Sequence, residues 1–320
     1  MGNVLRIATR KSALAVAQTT LAAKALVSAN PGLEYELVPM TTEGDRRLDK
    51  SLASFGGKGV FIKELEVALL EGRADIAVHS LKDMPAEVMP EFKLATVLKR
   101  EDPRDAFIAR GGVNGKKFMD LPSGARVGTG SIRRVVQLKA LRPDLEYVPI
   151  RGNIQTRLSK LEELDGVVLA AAGLRRMGLA DQVTEYFDTE KMVPASGQGI
   201  LAIETLNPGC HCEGDSLKQS FASVLSRVND APTYCIAVAE MAFLKALNAG
   251  CQFPVASFAE FVQGSGAENA GAAPVMKIRG IYWDEASKRL LRAEYRGPVE
   301  TVEAAREAGV ALAGEIREQL

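Results

Sequence analysis

The run Asp75-Ile76-Ala77-Val78-His79-Ser80-Leu81-Lys82-Asp83-Met84-Pro85 holds the residue types best suited to chemistry. Residues 74–78 read as a short buried strand, preceded by a helical stretch, 60–72, that stops on a glycine. In an open α/β sheet, residues just past such a strand line the ligand crevice, which puts Ser80, Lys82 and Asp83 at its rim. A carboxylate and an amine there can do acid–base and electrostatic work. A lone Lys-Asp pair is more often a solvated surface pair; the strand-end position is what sets this one apart. With His79 and His211 the only histidines, chemistry built on a histidine base is disfavoured.

Cations gather at comparable positions. Arg10, Lys11 and Ser12 follow a first strand at 4–8, and Thr129, Ser131, Arg133 and Arg134 follow another at 125–128. Arg151 and Arg157 lie after a third strand, and Arg175 and Arg176 after the strand at 166–170. Strand carboxyl ends and helix amino termini open on one crevice in this class of fold. The planar fork of arginine grips carboxylates with two hydrogen bonds, so seven arginines in one cleft imply a ligand with several negative groups.

The elements that must carry these residues recur. Helices are expected from Ser12 to about residue 30, over 132–141 and over 158–165, with strands at 34–40 and 93–98. The segment Pro143-Asp144-Leu145-Glu146-Tyr147-Val148-Pro149 echoes Pro31-Gly32-Leu33-Glu34-Tyr35-Glu36-Leu37-Val38-Pro39. Two βαβαβ lobes of one build are expected to face each other, with the polar loop 41–59 enlarging the first into a lid. The chain crosses between lobes at 100–105 and near Ser196-Gly197-Gln198-Gly199. Helices at 215–227 and 232–247, strand-like stretches at 255–262, 275–283 and 290–295, and a closing helix from Val299 suggest a separate α+β module. The loop 264–274 within it reads as mobile. The expected fold class is therefore α/β: two periplasmic-binding-protein-like lobes with mixed sheets plus a small α+β C-terminal domain. The expected division is 1–101 with 198–218, then 102–197, then 219–320.

Forty basic and forty acidic residues cancel among 320, which argues against nucleic acid as a partner. No apolar run is long enough to span a membrane, no secretory leader is evident, and Ile7 stands where a myristoylation site needs Ser or Thr. Four cysteines suit a reducing cytoplasm. Gly56-Gly57-Lys58-Gly59 lacks the spacing of a nucleotide-binding P-loop.

Ile7-Ala8-Thr9-Arg10-Lys11-Ser12, Gly56-Gly57-Lys58-Gly59-Val60-Phe61, the stretch 79–85, the stretch 101–107, Arg151-Gly152-Asn153 with Thr156-Arg157, and Gly250-Cys251-Gln252 occur in an order that resembles the porphobilinogen deaminase (hydroxymethylbilane synthase) family along nearly the whole chain. The resemblance implies a transferase of tetrapyrrole biosynthesis that joins four porphobilinogen molecules head to tail with loss of ammonia. It implies a dipyrromethane cofactor held by a thioether at Cys251 and a catalytic carboxylate at Asp83. Arg10, Ser12, Lys58, Phe61, Ser80, Lys82, Thr129, Ser131, Arg133, Arg134, Arg151, Arg157, Arg176 and Gln198 would bind the acetate- and propionate-bearing rings. No metal is expected: Cys210-His211-Cys212, with Cys235 the one further candidate ligand, reads as an exposed turn. A cytoplasmic monomer acting on a small molecule is expected.

Three positions depart from the family pattern. Gly130 stands where a serine is common, Met241 where an arginine is usual after Glu240, and Asn248-Ala249-Gly250 replaces a more glycine-rich approach to Cys251. A non-catalytic two-lobed binding protein for a small polyanion would share the cleft but leave Asp83 and Cys251 without a purpose. A ligand-sensing regulator would need a basic recognition helix, and none is evident.

Overall fold

The computed structural model describes residues 4–42, 62–207, 222–249, 253–262 and 273–320. Lys58, Phe61, Cys251, the Cys210-His211-Cys212 triplet and most of the 41–59 and 264–274 loops lie outside the described residues. The chain divides into two compact units, Met1–Glu101 with Ile200–Tyr234 and Asp102–Gly199 with Cys235–Leu320.

The first unit opens with β1 (Val4–Arg10), α1 (Ala13–Ala29), β2 (Glu34–Met40), α2 (Lys63–Leu70), β3 (Ile76–Ser80) and β4 (Phe92–Val97). The second follows with β5 (Asp105–Ala109), β6 (Arg126–Thr129), α3 (Ile132–Leu141), β7 (Glu146–Pro149), α4 (Ile154–Ser159), β8 (Gly166–Ala170), α5 (Ala171–Arg176) and β9 (Glu185–Tyr186). Strand β10 (Leu201–Leu206) returns to the first unit. The remainder is α6 (Ala231–Ala246), β11 (Val255–Val262), β12 (Val275–Asp284), β13 (Arg289–Pro298) and α7 (Val302–Arg317).

The two five-stranded sheets have one layout. Their orders are β2-β1-β3-β10-β4 and β7-β6-β8-β5-β9. In each, three parallel strands are followed by an antiparallel one, β10 or β5, and then by an edge strand antiparallel to it, β4 or β9. The sequence echo falls on matching register at its closing Val-Pro: Pro39 pairs with Thr9, and Pro149 pairs with Thr129. A second correspondence lies just before β3 and β8. The Arg6 backbone N–H donates to the Asp75 carboxylate at 2.7 Å, and that of Arg126 to the Asp165 carboxylate at 2.8 Å. Each aspartate thus fixes the start of a central strand against its parallel neighbour, twice in the same chain.

Because helices cover these sheets, the central strands are apolar on both sides, and Ile76, Ala77 and Val78 are all buried. The Ser12 hydroxyl caps α1 by accepting from Ala15 N–H. The third sheet is an antiparallel meander, β11-β12-β13. Helices α6 and α7 meet over β12, and a Cβ on Gly309 of α7 would come within 2.1 Å of the Ala239 carbonyl on α6. Only glycine permits so close an approach.

Two strands break the sequence expectation. Residues 100–105 read as a crossing, yet Asp105 already begins β5, and β9 has no local signal at all. An antiparallel insertion into a parallel sheet depends on partners far along the chain, which local periodicity does not record.

Candidate active site

In the first unit the candidate residues sit at adjoining strand ends, since β1 and β3 are parallel neighbours. Arg10 closes β1, and Ser80 closes β3. The Ser80 hydroxyl accepts from the Gln18 side chain of α1 at 2.9 Å. Beyond Ser80 the chain makes one 3₁₀ turn, Leu81–Asp83. Leu81 and Met84 are buried on either side of the turn, and Leu81 N–H donates to the Ile200 carbonyl at 3.0 Å. Two apolar anchors therefore fix the turn, leaving Lys82 half-buried and Asp83 exposed at the strand end.

Behind β3 lies a group that the sequence did not single out. The His79 ring Nε2 is 3.0 Å from Glu204 Oε2 on β10, and both side chains are buried. Glu66 of α2 is also buried, and its carboxyl is pushed up to about 7, first by burial and then by the charge of Glu204. The available signal was a glutamate on the apolar face of a short helix.

In the second unit, Thr129 ends β6, and Ser131 precedes α3 without its side chain capping the helix. Arg133 and Arg134 do not stand on an open wall, as their spacing suggested; both are buried. The Asp105 carboxylate, fully buried at the start of β5, accepts from Arg133 Nη1 at 2.6 Å and from Arg134 Nε at 2.9 Å. Arg133 also donates to the Val193 carbonyl, and Arg134 to that of Val168. Gln198, expected to hydrogen-bond a ligand, is likewise buried and donates to Asp105 at 2.9 Å and to the Pro103 carbonyl at 2.7 Å. The reason is electrostatic: two guanidinium groups brought under the surface need a counter-charge, and Asp105 supplies it to both.

Arg157, on α4, donates from Nε to the Gly152 carbonyl, and Asn153 caps that helix through Thr156 N–H. Arg176 donates to the Gly199 carbonyl at 2.6 Å, and Arg151 is exposed beyond β7. A Cβ on Gly130 would sit 2.6 Å from the Ile150 carbonyl and 4.0 Å from Arg157 Nη1, so a serine at this position would have no room.

Among the described residues, Arg133 and Arg134 pair with one carboxylate, that of Asp105, and the positive charge of Arg157 bears on Arg134. Burial draws the Arg134 guanidinium down to about 10, which still leaves it charged at neutral pH. The two arginines and Gln198 hold the Asp105 carboxyl well below the ordinary range against its burial. The Arg133 Nε–H is buried without a hydrogen-bond partner. Two guanidinium groups on one described carboxylate, with one buried N–H left over, fit an anionic group such as the carboxylate-bearing rings of a dipyrromethane. Among the described residues no group of His, Cys, Asp and Glu could hold a metal ion, and no helix is long and apolar enough to cross a membrane.

Comparison with known proteins gives one answer. Residues 5–209 match the family description "Porphobilinogen deaminase, dipyromethane cofactor binding domain", and residues 234–318 match "Porphobilinogen deaminase, C-terminal domain". The porphobilinogen deaminase of Syntrophus aciditrophicus (strain SB) is 46% identical over 298 residues, covering 92% of this chain and 90% of that protein. The porphobilinogen deaminase of Stenotrophomonas maltophilia (strain K279a) is 44% identical over 297 residues, with coverage of 92% and 90%.

Proposed function

The chain belongs to the porphobilinogen deaminase family, and from that premise we propose how its residues divide the work. The family activity is a transferase step of tetrapyrrole biosynthesis: four porphobilinogen molecules are joined head to tail, with ammonia released, to give hydroxymethylbilane. When bound, the dipyrromethane supplies the free pyrrole α-carbon to which the first substrate is joined.

Asp83 is the catalytic carboxylate. In each condensation the aminomethyl C–N bond of the substrate breaks and ammonia leaves, taking up a proton as ammonium. The azafulvene-like cation that remains is attacked by the pyrrole α-carbon, a C–C bond forms, and the α-carbon then gives up its proton. Asp83, held at the end of β3 beside Lys82, stabilises the cation through the pyrrole N–H groups and carries protons between these steps. Arg10, Ser12, Ser80 and Lys82 bind ring carboxylates from the first unit. Thr129, Ser131, Arg133, Arg134, Arg151, Arg157 and Arg176 do so from the second. Gln198 acts one step back, by orienting Asp105.

Cys251 is the anchor, because a soft thiolate attacks the same electrophilic carbon and the thioether resists hydrolysis. Lys58 and Phe61 act from the segment that precedes α2 in sequence. The working division is a catalytic lobe (1–101 with 198–218), an arginine-rich lobe (102–197) and an anchoring domain (219–320), in a cytoplasmic monomer.

The observation that supports this reading is that, among the described residues, Arg133 and Arg134 pair with one carboxylate while the buried Arg133 Nε–H has no partner, which leaves a donor for an anion. Intact-protein mass tests it. The purified chain is expected to carry the added mass of two linked pyrroles, and Cys251→Ser is expected to lack it. A wild-type chain of unmodified mass, or a Cys251→Ser chain that keeps the addition, would contradict the assignment.

A further inference from the structure

The segment 196–199 does more than return the chain to β10. Its four residues face two ways. Gln198 donates to Asp105, and the Gly199 carbonyl accepts from Arg176, so this end is tied to the arginine site. Ser196 and Gly197 are tied to the last α+β module. The Ser196 and Ser257 hydroxyls are 2.7 Å apart, and Ser196 Oγ accepts from Ser257 N–H at 3.0 Å. Gly197 N–H donates to Glu240 Oε2 at 2.5 Å, while Glu240 Oε1 accepts from Ala259 N–H at 2.7 Å. Positive φ angles at Gly197 and Gly199 give the segment this alternation.

Glu240 is fully buried. A carboxylate in that setting is costly to desolvate, and an apolar side chain of similar volume is often as stable or more so. Its placement gives it a purpose. Glu240 lies on α6 and Ala259 on β11, and these two elements are the stems of the connection that contains Cys251. One carboxylate therefore clasps both stems and ties them, through Gly197 and Gln198, to the Asp105–Arg133–Arg134 site.

We propose that Glu240 is a positioning residue that holds α6 and β11, the elements either side of Cys251 in sequence, to the arginine site, with Ser196 and Ser257 completing the strap. The proposal rests on Cys251 being the anchor. A tether displaced by about 1 Å misaligns the ring carboxylates and the reacting carbon alike, and errors of that size cost up to about a hundredfold in rate.

The test compares Glu240→Gln, which keeps size and removes charge, with Met276→Ala, which hollows the same module away from the strap. The readouts are the fraction of chains carrying the two-pyrrole mass and, for loaded protein separated by anion exchange, kcat and KM. Glu240→Gln is expected to load poorly, and its loaded fraction to show kcat lowered about tenfold with KM within about twofold of wild type. Met276→Ala is expected to lose thermal stability while loading and turning over normally. Wild-type loading and kcat in Glu240→Gln would overturn the proposal, as would equal defects in Met276→Ala. If Glu240→Gln does not fold, Ser257→Ala supplies the same readout: a smaller loss of loading and kcat supports the proposal, and wild-type behaviour overturns it. The anchor reading fails separately, if the wild-type chain itself carries no added mass.

Discussion

Arg133 donates from both terminal nitrogens to the two oxygens of Asp105, at 2.6 and 3.1 Å, with neither residue open to solvent. Removing the carboxylate charge strands two buried cations. Asp105→Asn is expected to cost about 3–5 kcal/mol of stability, the usual penalty for breaking a buried ion pair from one side. Urea unfolding measures it; a loss below about 1 kcal/mol would show that solvent reaches the pair. Because Asp105 is held low in the folded chain, its contribution is present above the unfolded carboxylate value and fades as pH falls below about 4.

Glu66 works in the opposite sense. Its folded value is raised from 4.5 to about 7, so the stability it contributes is complete below pH 4.5 and is lost as pH climbs through 7. His79, Glu204 and Glu91 are the charges that bear on it. Glu66→Gln stays neutral throughout, and its melting temperature relative to wild type is expected to be higher at pH 8 than at pH 5. A difference that does not vary with pH would remove Glu66 from this role.

Gly130 offers a steric prediction. Gly130→Ser drives a Cβ against the Ile150 carbonyl, a backbone atom that cannot rotate away. Overpacking of this kind costs about 1–3 kcal/mol, read as a lower melting temperature. An unchanged melting temperature would mean the 129–131 turn adapts freely.

Much of this was legible beforehand, for identifiable reasons. Helix Ile132–Leu141 and strands Glu34–Met40, Gly166–Ala170 and Val255–Val262 were read with their observed bounds, because composition and turn residues agree with the local state there. Ser80, Lys82 and Asp83 were read at a strand end, and lie there, because the apolar run 74–78 and the break after it are local signals. What escaped depends on distant partners. Nothing near Arg133 and Arg134 reveals that Asp105 waits 28 residues earlier to draw them inside. Glu204 and His79 meet only because β10 slots in beside β3, 125 residues apart in sequence. Glu240 looked like an ordinary helix residue until Gly197 and Ala259 converged on its oxygens.

The central claim is that Asp83, presented by the Leu81–Asp83 turn, supports condensation on rings tethered to this chain. Asp83 is exposed, and Leu81 and Met84 anchor its turn, so Asp83→Asn should fold and load its cofactor normally. The deciding measurement is kcat of loaded Asp83→Asn with porphobilinogen. A fall of about 10²–10⁴-fold, with circular dichroism and melting temperature unchanged, is the predicted result. Turnover within a few-fold of wild type would contradict the account.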